Sequence, residues 1–88
     1  MSTEDELERV CGMLDEIMED NSIPRNIRNG ATECKELLLE SDDDLDVRIA
    51  SSIFKLEELA DDPNIPLHGR TLIWNVISQL ESIKSENN

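Results

Sequence analysis

Tyrosine is absent from this sequence, and Phe54 and Trp74 are its only aromatic side chains. Any core must therefore be assembled from Leu, Ile, Val, Met and Ala. Glycine and proline occur three times each, too few for the many turns of a β-sandwich or barrel. No stretch approaches the ~18 consecutive apolar residues that a membrane-spanning helix needs. The opening "MSTEDELERV" has neither the basic start nor the apolar run of a secretory signal. A cytoplasmic setting is the expectation, with Cys11 and Cys34 as free thiols. Basic residues are also scarce: 8 stand against 21 acidic ones, for a formal net charge of −13. A charge of that sign repels nucleic-acid backbones and anionic membranes, so neither is expected as a direct partner.

What is present is helical periodicity. The 88 residues suffice for one domain, residues 1–88. Leu7, Val10, Leu14 and Ile17 recur at steps of three and four and predict a helix over 3–20. Thr3 with Glu6 has the spacing of a capping box at its start. Ile27, Ala31, Cys34 and Leu38 predict a second helix over 23–41. Gly30 within it costs about 1 kcal/mol relative to Ala, and could serve the close approach of a neighbouring helix. Leu45, Ile49, Ile53 and Leu56 predict a third over 44–61, with Asp44 expected to cap it. Ile73, Val76, Leu80 and Ile83 predict a fourth over 65–84, and "SENN" is expected to fray. The breaks between helices are short. That pattern fits antiparallel neighbours in a four-helix up-and-down bundle, made of hairpins 3–41 and 44–84.

The two hairpins share a phrase. "DNSIPRNIR" begins at Asp20, and "DPNIPLHGR" begins at Asp62. At an offset of 42 residues Pro24 falls on Pro66, Ile23 on Ile65 and Arg28 on Arg70. Leu7, Leu14 and Leu38 fall on Ile49, Leu56 and Leu80. The chain reads as two copies of one helical hairpin, with stacked HEAT-like hairpins as the alternative architecture. At the same offset Cys11 and Cys34 fall on Ile53 and Val76, which marks both as core fillers rather than nucleophiles or ligands. Arg28 and Arg70 are expected to bind structure at their own helix starts, through Asp20, Asp62 or the carbonyls that end the preceding helix.

Chemistry is hard to place on this chain. An EF-hand loop from Asp42 would need Gly at its sixth position and finds Val47; at its twelfth it would need Glu and finds Ile53. His68 is the sole histidine, and no Ser–His–acid spacing accompanies it. No glycine-rich phosphate loop is present. No catalytic, metal or cofactor-binding residue is therefore expected, and the chain is read as a non-enzyme.

The second copy does carry surplus apolar groups. Val47, Phe54 and Trp74 stand where the first copy has Asp5, Gly12 and Thr32. Val47 and Phe54 lie two turns apart, away from their helix's stripe. These three residues form a candidate interface. The expected function is a protein-interaction or scaffolding module acting through this helix face, the simplest partner being a second copy in a two-fold homodimer. The alternative is an acidic module that binds a basic protein, or weakly holds a divalent cation, around Asp42–Asp46.

The stretches "DNSIPRNIRNGATECKELLLE" and "DLDVRIASSIFKLEELADDPNIPLHGRTLIWNVISQLE" resemble uncharacterised protein family 0147, small acidic helical proteins of archaea. The resemblance covers nearly the whole chain, and the twin "IP" turns carry most of it. It implies an all-α four-helix bundle in a cytoplasmic setting, and no assigned activity, cofactor or site residue.

Overall fold

Ser2, one residue before Thr3, caps the first helix. Its hydroxyl accepts the Asp5 amide at 3.2 Å, so the capping register lies one residue earlier than the Thr3–Glu6 spacing suggested. Glu6 is instead buried. In this computed structural model, which describes residues 2–86, the chain forms α1 (Thr3–Glu19), α2 (Arg25–Glu40), α3 (Leu45–Ala60) and α4 (Leu67–Glu86). No strand occurs among the described residues. Helix α4 continues through Ser85 and Glu86, past the expected fraying point, because the i to i−4 ladder is unbroken there. Asn87 and Asn88 lie outside the described residues.

Asp44 occupies the position before α3, but its side chain makes no capping hydrogen bond. The polar turn ahead of it is closed locally. Ser41 Oγ accepts the Asp43 amide at 3.2 Å and donates to the Asp43 carboxylate at 3.1 Å. The Asp44 side chain therefore acts on α3 only through its charge beside the helix dipole, a smaller effect than a side-chain cap, while its carbonyl accepts the Arg48 amide at 3.0 Å.

Each helix packs on two neighbours. Helices α1 and α3 both touch α2 and α4, while α1 and α3 stand on one diagonal and α2 and α4 on the other. That closed ring rules out the stacked HEAT-like alternative, which would place α1 against α3. The ring is 35 Å long, about the length of its longest helix at 1.5 Å per residue. The predicted stripes line its interior, except that Leu7, Leu45 and Ile53 are only partly buried at its edge. Leu14, Leu38, Leu56 and Leu80, one from each helix, are fully buried, along with Ile17, Ile27, Ile49, Ile73 and Ile83.

Helices α2 and α3 approach each other closely at Gly30. A Cβ added at Gly30 would lie 2.5 Å from Leu59 Cδ2, so the absence of a side chain there is what admits Leu59. Nearby, Ser52 is fully buried, and its hydroxyl donates to the Cys34 carbonyl at 3.5 Å. Cys34 Sγ donates in return to the Ser52 carbonyl at 3.7 Å. Arg48 Nη1 reaches back to the Leu38 carbonyl at 2.7 Å, satisfying one acceptor in the last turn of α2. Two partly exposed ion pairs add little more: Lys35–Asp15 at 2.8 Å and Lys55–Glu33 at 3.0 Å.

Both cysteines are free and buried. Burial pushes the Cys34 thiol up to about 12, and also raises Cys11, against the lowering influence of nearby Lys35. Thiolate, the reactive form, is thus suppressed at both. Native protein at pH 8 should leave Cys34 unmodified by a thiol reagent over times that fully label the denatured chain. Cys11, which keeps 8% of its surface, should react slowly and first. Rapid native labelling of Cys34 would contradict its place in the core. A second outcome follows from the glycines. Nothing lies within 4 Å of a Cβ added at Gly12, in the middle of α1. Gly12→Ala should therefore stabilise the isolated chain by about 1 kcal/mol, read as a higher denaturant midpoint.

Candidate functional site

The two "IP" loops meet at one end of the bundle and share a backbone turn. Asp20 and Asp62 each use a carboxylate oxygen to accept the amide two residues on, from Ser22 at 2.9 Å and from Asn64 at 2.8 Å. The Asp20 and Asp62 carbonyls accept the amides of Ile23 and Ile65 at 3.1 and 3.2 Å. Asp at the start of a turn favours this arrangement, since its short side chain reaches its own backbone. Each loop is also bonded from the other hairpin. Asn26 Nδ2 donates to Asp62 at 2.8 Å, and His68 Nε2 meets Asp20 Oδ2 at 3.2 Å. Beyond these loops, the duplication of whole hairpins is an inference from the sequence register. The arginines, for instance, differ. Arg28 Nε donates to the Ile23 carbonyl within its own loop at 3.0 Å, whereas Arg70 Nε donates to the Ala60 carbonyl that ends α3 at 3.0 Å.

This loop end gathers a Ser–His–Asp cluster that no sequence spacing announced. Ser22 Oγ lies 2.9 Å from His68 Nε2 and also donates to Asp20 Oδ1. A carboxylate only accepts, so a proton on Nε2 is what satisfies the Asp20 contact. A nucleophilic triad places the acid on one imidazole nitrogen and the serine on the other. Here both meet Nε2, and the serine proton is already directed at the acid. Ser22 and His68 are exposed. The cluster has the geometry of a latch between the α1–α2 loop and α4.

The candidate interface is exposed. Val47, Phe54 and Trp74 keep 48%, 67% and 53% of their surfaces. Val47 and Phe54 share one face of α3, two turns apart. Trp74, on α4, lines a shallow cleft of about 220 Å³ with Glu57, Ala60, Asp61 and Ile77. Glu57 lies one turn beyond Phe54, so the ridge and the cleft adjoin without merging. The acidic side chains Asp46, Glu57, Glu58 and Asp61 are exposed along the same helix. The sequence reading did not single out two further apolar groups, Leu39 and Leu67, exposed at 55% and 74%. The triplet Leu37–Leu39 held the signal for the first. Three successive helical residues span about 200°, wider than one buried stripe, so one of them had to face out.

Asp42, Asp43, Asp44 and Asp46 are all exposed. Among the described residues no three His, Cys, Asp or Glu side chains converge on a point that could hold a metal ion. No helix among them is long and apolar enough to cross a membrane.

Hydrogen bonds from the Ser22 hydroxyl and amide hold the Asp20 carboxyl below its ordinary value, and His68 adds to the effect. A carboxylate depressed in the folded state contributes stability above its unfolded pKa of ~3.9, which is lost as pH falls through the lower folded value. Asp20→Asn should therefore flatten the acid limb of the stability profile between pH 5 and 2, followed by denaturant midpoints. An unchanged limb would mean that the latch is open in solution.

Residues 1–83 match the uncharacterised protein family UPF0147. A member from Methanothermobacter thermautotrophicus is 53% identical over 76 residues, spanning 86% of this chain and 74% of that one. Another, from Methanocaldococcus jannaschii, is 47% identical over 81 residues, spanning 92% of this chain and 87% of that one. A crystal structure of protein MMP1188, of unknown function, has a TM-score of 0.88 at 43% identity and covers 92% of both chains. A structure of a UPF0147 member from Thermoplasma acidophilum has a TM-score of 0.86 at 38% identity, covering 91% of this chain and 94% of that one. Sequence and fold thus agree: the chain belongs to the uncharacterised protein family UPF0147.

Proposed function

We propose that this protein is a non-enzymatic interaction module of the cytoplasm, whose α3–α4 outer face docks on a partner protein. The observation that carries the reading is the ridge of Val47 and Phe54 beside Trp74, all about half exposed or more in a chain with no other aromatic residue. Burying each such side chain contributes roughly 1.5–3 kcal/mol. The acidic rim of Asp46, Glu57, Glu58 and Asp61 chooses among partners. A second copy, docked by a two-fold, would bring that rim against itself, and each chain carries a formal charge of −13. A partner with Lys or Arg around an apolar centre meets no such cost and gains on-rate from the field. The homodimer is thus the less favoured occupant. The apolar-face and acidic-module readings converge on a basic protein, in preference to a divalent ion.

Sedimentation of the purified chain should give a monomer. A basic partner retained from native lysate at 0.15 M salt should be lost from Phe54→Asp by at least tenfold, while the circular dichroism of that variant matches wild type. Retention of the same partner by Phe54→Asp overturns the assignment of this face. A wild-type dimer split by Phe54→Asp would make the partner a second copy and overturn the charge argument.

A further inference from the structure

Two of the three glycines are accounted for by contacts inside the chain. Gly30 admits Leu59, and a Cβ at Gly69 would meet Ile65 Cγ1 at 3.2 Å. Gly12 has no such account. It sits mid-helix, with nothing within 4 Å of the place its Cβ would take, and glycine there weakens α1 relative to any common helix former. A residue without a side chain at a helix surface is what close approach by another backbone requires.

The surroundings say what could approach. Gly12 lies in an open depression of about 420 Å³ between α1 and α2, whose apolar lining also includes Leu7, Cys11 and Leu39. Leu39 points outward with 55% of its surface exposed, although it caps no helix and covers no part of the core. Leu7 and Cys11 are one turn apart, so the apolar strip runs along the helix axis. Glu4 and Glu8 rim it and form no ion pair among the described residues. Asp15, on the same rim, is held by Lys35 at 2.8 Å. A shallow apolar strip with a glycine in its floor and unpaired carboxylates at its edge has the chemistry of a groove that receives a cationic amphipathic helix.

We propose that the α1–α2 groove is a docking surface in its own right, which takes a helical segment carrying an apolar stripe flanked by Lys or Arg. It is distinct from the α3–α4 face. Helices α1 and α3 stand on opposite corners of the ring, so the two surfaces point apart and can be occupied together. A second copy of the chain is a poor occupant, since two-fold docking would set Glu4 and Glu8 against their own counterparts.

The test uses isotope-labelled full-length chain and a synthetic 18-residue Leu/Lys amphipathic peptide in 0.15 M salt. Saturable shifts are expected at the amides of Leu7, Gly12 and Leu39, equally in wild type and in Phe54→Asp. Gly12→Phe, which fills the floor, should weaken the response at Leu7 and Leu39 at least tenfold. Leu39→Asp, at an exposed position, should do the same and stands in should Gly12→Phe fail to fold. A Leu/Gln peptide of the same length should bind at least tenfold more weakly. Shifts spread over all acidic residues that vanish at 0.5 M salt would reduce the effect to the net field and overturn the proposal. So would shifts confined to α3 and α4, full binding by Leu39→Asp, or no shift at all.

Discussion

The fold depends on one constraint: four apolar stripes, with no aromatic among them, must cover one another completely. An all-aliphatic core gains its stability from area and close fit alone. Leu14, Leu38, Leu56 and Leu80 are fully buried, and Cys34 and Val76 are equally inaccessible. Such a core has little to spare against the mutual repulsion of a surface carrying a formal −13. Several polar groups at the helix seams are paired, although Arg48 Nε is buried without a partner. Ser52 and Cys34 satisfy each other's carbonyls across α2 and α3. Arg48 and Arg70 reach carbonyls at the ends of α2 and α3. Arg48 and Arg70 thus serve backbone acceptors, whereas Lys35 and Lys55 bridge the seams through partly exposed ion pairs.

The helices were legible in the sequence because their signal is local. Steps of three and four residues placed the stripes, and their burial follows the predicted set closely. Helix starts were less legible for a specific reason. Ser2 and Thr3 are both competent caps, and only the path of the chain decides which hydroxyl meets which amide. Asp44 shows the same ambiguity from the other side, since its neighbours Ser41 and Asp43 close the turn without it. At the offset of 42 residues Asp20 and Asp62 both accept the amide two residues on, though Asp20 alone also takes a hydroxyl, that of Ser22.

The candidate surfaces were half legible. Val47, Phe54 and Trp74 stand out from the 42-residue register, where the first hairpin has Asp5, Gly12 and Thr32, and all three are exposed. That comparison concerns positions on single helices. It does not reach features built from two. The Asp20–Ser22–His68 latch joins residues 48 positions apart and exists only because the loops share one end of the bundle. The exposure of Leu39 beside Gly12 likewise needs α1 and α2 side by side. Sequence gives the direction in which a side chain leaves its helix, and tertiary structure gives what it meets.

The distribution of glycine and apolar surplus then distinguishes the two hairpins. At one register position the first hairpin has Gly12 and the second Phe54, so one presents a hollow and the other a ridge. Within a single chain the two are never opposed, because α1 and α3 are diagonal. Between chains the hollow could in principle accept the ridge, head to tail, and such a contact would not close into a ring of two. The acidic rims on both features oppose that outcome at every copy added. Glu4 and Glu8 would face Glu57, Glu58 and Asp61 each time. On the proposed reading, the net charge would oppose a head-to-tail contact between copies and would favour partners of the opposite sign at both features.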